Sequence, residues 1–226
     1  MGDNKTSQKA KDYDAKVEKT HPMYPFFHNE TLSLVEVVNP EPSRWLDTGC
    51  GTGELVSKAL KSFEKTHFVL ADPSEAMLAI AKEKFDGASH SQLEYVQAGT
   101  EELNFPVESF DVITAILSHH YFDRETREKV TAHCFSLLKE GGVYVTFENI
   151  TPYTEKGIQI GLERWCQAQI KKGKSVEEAQ RHMTRFGKEY YPITLDSHVR
   201  LLQDAGFSTV EVLWVSSMQA GFYAIK

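Results

Sequence analysis

Asp47, Gly49, Gly51, Gly53 and Asp72 are the residues whose types and spacing most invite chemistry in this chain. The glycines alternate in WLDTGCGTGEL, Trp45 to Leu55, directly after a short apolar run. Glycine tolerates positive φ and has no side chain, so a ligand can lie against the main chain there. A helical pattern follows at once, with Leu55, Val56, Ala59, Leu60 and Phe63 at helical spacing. Strand, glycine loop and helix together aim a helix N-terminus at a small molecule. Asp72 closes the next apolar run, HFVLAD, where a carboxylate can accept hydrogen bonds from both hydroxyls of a ribose. A capped strand-to-helix loop without a ligand would use the same residues singly, so their combination carries the reading.

The glycine spacing is G-x-G-x-G, not the G-x-G-x-x-G whose amides hold a dinucleotide pyrophosphate. Asp47 would repel a pyrophosphate but suits a cationic amine. S-adenosylmethionine joins such an amine to a ribose and an adenine and carries no phosphate. It is the cofactor these residues fit. A second constellation lies further on. Ser118, His119 and His120 end the run FDVITAILSHH, and Glu148 ends GGVYVTFE. On neighbouring strands, His119 and Glu148 could act as a general base and its orienting acid. The same histidines could instead cap the following helix and bond to backbone.

The elements that must position these residues alternate along the chain. SRWLD, HFVLAD, LEYVQA, FDVITAILS and EGGVYVTFE read as strands, the last entered by a turn through Gly141 and Gly142. YPFFHNETLSLVEVV, SEAMLAIAKEKF (with Ser74 as N-cap), ETREKVTAHCFSLLKE and LDSHVRLLQDAGF read as helices. TVEVLWVS and GFYAIK close the chain as two further strands. Such alternation predicts an α/β, doubly wound, seven-stranded and mainly parallel sheet. Four parts follow: an N-terminal arm over 1–40, a core over 41–150, a helix-rich insertion over 151–192 and the closing elements over 193–226. Residues 1–20 are charged, with Tyr13 and Val17 their only sizeable apolar anchors, and read as loosely attached.

WLDTGCGTGEL, LADPSEAML, FDVITAILSHHYF and LLKEGGVYV, in this order, resemble the successive motifs of class I S-adenosylmethionine-dependent methyltransferases, over about Arg44 to Asn149. The closing LLQDAGFSTVEVLWVSSMQAGFYAIK resembles a narrower group, related to carboxy-S-adenosylmethionine synthase and to proteins described as wobble-uridine tRNA methyltransferases. The resemblance implies a Rossmann-like fold with a helical cap after the fifth strand. It implies that backbone at Gly49 and Gly51 lies under the methionyl part, with Asp47 near its ammonium, and that Cys50 and Gly53 also belong to the cofactor site. Asp72 would hold the ribose, and Pro73, Met77 and Leu117 would border the cofactor. After the third strand, Gly99 and Thr100 stand where an acid usually reads the adenine edge, and Glu101 can replace that acid from one turn later. The cap would cover the acceptor with Arg185, Tyr190 and Tyr191, opposite Tyr13 and Tyr24 of the arm. An arginine and aromatics suit an anionic or aromatic acceptor.

The sulfonium already activates the methyl group, so the protein chiefly aligns the acceptor, an effect worth about 7–11 kcal/mol of barrier. A base is needed only where the acceptor loses a proton. The net charge of −7 over 226 residues argues against a general nucleic-acid binder. Three widely spaced cysteines suit a reducing compartment, and without a CxxC pair no metal site is expected. The polar N-terminus has no secretory h-region and no run would span a bilayer, so a cytoplasmic protein, monomer or homodimer, is expected. MGDNKT also matches the short N-myristoylation pattern at Gly2. The expected function is methyl transfer to an oxygen or nitrogen of a small molecule. Its rivals are a carboxy-S-adenosylmethionine synthase, a tRNA wobble-uridine modification enzyme and a non-catalytic cofactor-binding protein. In a gapless comparison the synthase's cap arginine falls at Met183, two residues before Arg185.

Overall fold

In the computed structural model, which describes residues 3–4, 6, 9–86 and 92–226, apolar runs and cap residues act where their pattern places them. The arm forms α1 (Tyr13–Thr20) and α2 (Tyr24–Val38). Then follow β1 (Arg44–Thr48), α3 (Glu54–Ala59), β2 (His67–Ala71), α4 (Glu75–Lys84), β3 (Leu93–Val96) and β4 (Phe110–Ile116). The second half holds α5 (Arg124–Leu137), β5 (Leu138–Asn149), α6 (Glu155–Lys171), α7 (Val176–Met183), α8 (Leu195–Asp204), β6 (Thr209–Ser216) and β7 (Gln219–Ile225). The sheet runs β3-β2-β1-β4-β5-β7-β6, parallel except for β7, which is antiparallel to both neighbours. Its order reverses between β1 and β4, and the crevice outside their carboxyl ends is where such sheets bind ligands.

Successive strand residues point to opposite faces, and here both faces are buried. Trp45, Phe68 and Leu70 pack on one side with Val56, Phe63, Phe85 and Phe147. Leu46, Val69 and Ala71 pack on the other with Cys134 and Leu137 of α5 and Leu202 of α8. That is why the strands read as nearly continuous apolar runs. The helix starts are capped as their sequences require. Ser74 Oγ accepts from Met77 N at 3.2 Å and Asp123 Oδ1 from Thr126 N at 2.8 Å.

Two expectations are corrected. Gly141 and Gly142 do not precede the fifth strand but lie inside it. Pairing with β4 starts at Leu138 opposite Phe110 and resumes at Val143 opposite Val112, so the extra residues are absorbed as an irregularity of the ladder. Residues 13–20 are not loosely attached. Val17 is buried, and Trp165 Nε1 of α6 donates to Thr20 O at 2.7 Å. Asp14 accepts from Thr52 Oγ1 at 2.5 Å and Lys84 Nζ at 2.9 Å, which ties α1 to the core. A small third core joins α6 to the rest of the fold, around Trp165, Tyr190 beyond α7 and Met218 between β6 and β7. Gly2 lies outside the described residues. Among those residues, no helix is long and apolar enough to cross a membrane.

Candidate active site

The glycine loop follows β1 directly. Gly49 takes φ +68°, and a Cβ there would meet Ser118 Cβ at 2.4 Å, so the β4 end approaches bare backbone. Gly51 takes φ +55° with nothing within 4 Å of where a Cβ would stand, and its N–H donates to Asp72 Oδ2 at 2.9 Å. Asp72 Oδ1 accepts from Ser74 N at 2.8 Å, so the carboxylate is held from both sides at the end of β2. Together these groups edge a cavity of about 500 Å³, within the about 300–1,000 Å³ typical of ligand pockets.

Of the residues assigned to the cofactor, Gly49, Gly51, Asp72, Pro73, Met77, Gly99, Thr100, Glu101 and Leu117 line this cavity. Asp47, Cys50 and Gly53 do not. Gly53 precedes α3 and faces Phe85, while the Cys50 thiol turns to Gly51 O. Asp47, 2% exposed, lies beneath the loop and accepts from Thr114 Oγ1 at 2.7 Å, which is itself a partner of Trp45 Nε1 at 3.0 Å. Burial raises Asp47 to about 7, against the Thr114 hydrogen bond and with the nearby Asp72 charge adding to the rise. Among the described residues Asp47 makes no ion pair, and its side-chain hydrogen bond is the one from Thr114. The arm covers the cavity from outside: Asp3, Thr6 and Tyr13 line it, and Ser74 Oγ donates to Asp3 O at 2.6 Å.

The histidine pair is divided differently from expectation. Glu148 does not meet the His119 imidazole. Its carboxylate accepts from the backbone N–H of His119 and of His120, each at 3.0 Å, and lies 2.6 Å from His120 Nδ1. His119 turns into the core, with Nε2 3.1 Å from Thr100 Oγ1 and Nδ1 3.1 Å from the Tyr144 hydroxyl. The reason is the single helical turn at His119–Tyr121, which sends adjacent side chains in different directions. Burial lowers His119 to about 4 even with the Glu148 charge opposing, so it is neutral at pH 7. Burial would raise Glu148, but the hydrogen bond and charge of His120 hold it at about 2.

A second, narrow cavity opens beside the first, and Thr6, Tyr13, Leu117 and Tyr121 border both. His120, Asn149, His21, His182, Arg185 and Tyr190 also stand in its wall, with Val17 and Thr20 of α1. Leu117, where the two meet, has φ +55°, a conformation that costs a non-glycine residue about 1–3 kcal/mol. Of the expected acceptor residues, Tyr13, Arg185 and Tyr190 stand here and two do not. Tyr24 packs behind Tyr13, ring edge to ring face at 6.5 Å, and Tyr191 is 42% exposed with its hydroxyl on Lys188 O. The Tyr191 backbone nevertheless matters, because its N–H donates to His120 O at 2.7 Å. His21 was missed because nothing in its local sequence marks it, and Asn149 was missed despite its place beside Glu148 at a strand end. His182 belongs to the polar and aromatic residues of the helix-rich insertion but was not singled out as a site residue.

A model of a methyltransferase domain matches residues 46–142. The chain is 23% identical over 224 residues to the carboxy-S-adenosyl-L-methionine synthase of Staphylococcus epidermidis, covering 98% of this chain and 96% of that one. It is 37% identical over 111 residues to the ubiquinone/menaquinone biosynthesis C-methyltransferase UbiE of Vibrio vulnificus, 48% of this chain and 42% of that protein. The chain therefore aligns with less than half the length of the latter. Among solved structures, human N-acetylserotonin methyltransferase in complex with S-adenosylmethionine superposes with a TM-score of 0.61 at 14% identity, over 95% of this chain and 57% of that one. Sheet order and structural likeness give the chain the fold seen in class I S-adenosylmethionine-dependent methyltransferases. Residues 46–142 form a methyltransferase domain, an S-adenosylmethionine-dependent enzyme unit with S-adenosylmethionine as its cofactor.

Proposed function

We propose that the enzyme transfers a methyl group to an oxygen or nitrogen of a small-molecule acceptor, with His120 as general base. The observation that carries this reading is the 2.6 Å Glu148–His120 contact in the wall of a cavity adjoining the cofactor cavity. Glu148 is ionised, so it takes the Nδ1 proton of His120 as its hydrogen-bond partner and leaves Nε2 as the basic nitrogen. Asn149 supports that tautomer: its Oδ1 accepts from Gln219 Nε2 at 3.3 Å, which turns its Nδ2 toward His120 Nε2, also at 3.3 Å. An acceptor hydroxyl or amine replacing Asn149 at Nε2 would give up its proton there, and Glu148 would stabilise the imidazolium.

In this reading Asp72 holds the ribose, the Gly49–Gly51 backbone underlies the methionyl part and Asp47 acts on the ammonium from beneath the loop. Bound S-adenosylmethionine supplies the electrophilic methyl group on its sulfonium. Tyr13 and the α6–α7 segment, read as a cap, exclude water and orient the acceptor. Asp72→Ala is expected to weaken S-adenosylmethionine binding at least about tenfold, because it removes charged hydrogen bonds. Calorimetry on the folded variant checks this, and unchanged affinity would remove the ribose assignment. The contacts of Asp14 with Thr52 and Lys84, which tie α1 to the core, predict a further effect. Asp14→Ala removes one exposed ion pair and one hydrogen bond, together about 1–2 kcal/mol. It is expected to weaken cofactor binding severalfold and to speed proteolytic cleavage of the arm, read by timed digestion with and without cofactor.

A second reading has its own support. The near-full-length relative named above is a carboxy-S-adenosyl-L-methionine synthase, and Arg185, 8% exposed, faces the inner cavity while Met183 packs against the small third core. Arg185 could therefore meet a carboxylate although it is displaced by two positions. Mass spectrometry of ligand carried through purification decides between the readings. S-adenosylmethionine or its demethylated product supports methyl transfer, and the carboxylated cofactor supports the second reading.

A further inference from the structure

His182 and Arg185 line the inner cavity and also a third cavity of about 450 Å³ that opens between the arm and α7. Cofactor cavity, His120 cavity and this outer vestibule thus form one series, joined by shared walls. The vestibule is charged against the trend of the chain. Lys9, Lys16 and Lys19 of the arm face Lys174, Arg181 and Arg185, with two carboxylates, Asp12 and Glu178, in the same lining. The chain as a whole carries −7. Asp12 is engaged by Lys16 at 3.1 Å. Arg185 pairs with Glu189 at 2.6 Å, and the Glu178 and Glu177 charges act on Lys174 and Arg181. Lys9, Lys19, Lys174 and Arg181 make no ion pair among the described residues, so the cations of the lining outnumber its carboxylates.

The inner cavity adds an independent sign of a missing ligand. Among the described residues, His21 Nδ1 and the Tyr190 hydroxyl are buried there without a hydrogen-bond partner. An unpaired buried polar atom costs about 1–3 kcal/mol, and a ligand with polar groups removes that cost. Its small volume, about 30 Å³, admits one reacting group and leaves the rest of an acceptor outside. Lys174 reports the crowding of charge: burial lowers it to about 8, Glu178 opposes and Arg185 adds to the fall.

We infer that the vestibule holds a multiply charged anionic group of the acceptor, a phosphate monoester or a polycarboxylate, while the acceptor's nucleophile reaches His120 through the narrow inner cavity. This rests on the methyl-transfer reading and names its substrate class. Arginine and converging lysines match such anions in geometry and charge. A volume of about 450 Å³ matches a metabolite, whereas nucleic acid draws its affinity from a long run of phosphate contacts.

The test titrates the protein, saturated with S-adenosylmethionine, with inorganic pyrophosphate and with citrate at fixed ionic strength, using calorimetry. One-to-one binding of either anion is expected, weakened at least tenfold in the Lys19→Glu/Arg181→Glu variant and less in Lys19→Ala/Arg181→Ala. Both positions are exposed, so the variants should fold, and cofactor affinity measured on the same samples should not move. Preference for pyrophosphate assigns a phosphate ester, and preference for citrate assigns a polycarboxylate. No anion binding with intact cofactor affinity would overturn the vestibule and leave the methyl-transfer reading standing. Anion binding indifferent to both variants would overturn it equally. So would sub-micromolar tRNA binding that displaces pyrophosphate and weakens steeply with salt.

Discussion

Replacing His120 by alanine is expected to lower kcat/KM for methyl transfer by about 10²–10⁴-fold, the range a positioned general base contributes. Cofactor affinity should stay close to that of the parent enzyme, because His120 lines the inner cavity and not the cofactor cavity. The deficit should shrink as pH rises, since an acceptor that ionises in solution no longer needs a base. His119→Ala provides the contrast. That change removes hydrogen-bond partners from Thr100 and Tyr144 in the core, which should cost about 1–3 kcal/mol of stability. Its pH–rate profile should keep the parent shape. Full activity of His120→Ala at neutral pH would return the Glu148 contact to a structural role. A collapse confined to His119→Ala, with stability unchanged, would restore the original pairing.

That exchange of roles shows how far the sequence could be read. The strand ends were legible because buried parallel strands are apolar throughout and stop at polar residues: Asp72 after β2, Ser118 after β4 and Glu148 near the end of β5. Ser74 announced a helix start by its type, and it caps α4. Which of two adjacent histidines meets Glu148 depends on the pitch of a single helical turn, and no periodicity extends far enough to report it. Tyr190 and Tyr191 differ in the same way, one facing the cavity and its neighbour facing solvent. The arm was misread for another reason. Its few apolar residues gave no amphipathic stripe, yet it is held by polar contacts with residues distant in sequence, such as Thr52 and Trp165. Asp47 was read as an acid set beside a cationic amine, and its burial beneath the loop was not visible in its motif. Strand alternation placed it facing Thr114 of the neighbouring strand.

The position of Asp47 leads to a pH dependence. Affinity for S-adenosylmethionine is expected to climb between pH 5 and pH 7, by up to about tenfold per pH unit, the equivalent of about 1.36 kcal/mol per unit. Burial raises the Asp47 carboxyl to about 7. Below that pH the folded, ligand-free protein holds a proton there, and the ligand's ammonium favours the form without it. Binding then has to expel the proton, at a cost that grows as pH falls. The sign for stability is opposite. An unfolded chain ionises this carboxyl near its ordinary value of 3.8, so from about pH 4 to 7 the folded state binds more protons and the ligand-free protein loses stability as pH rises. The cofactor should offset that loss, so the rise in Tm it produces should grow over the same window. Calorimetric titrations at half-unit steps, with Tm recorded alongside, measure both slopes. Asp47→Asn should flatten both and leave affinity at pH 7 near the parent's value at pH 5. A parent profile that is flat from pH 5 to pH 7 would separate Asp47 from the ammonium and reduce it to an anchor for Thr114.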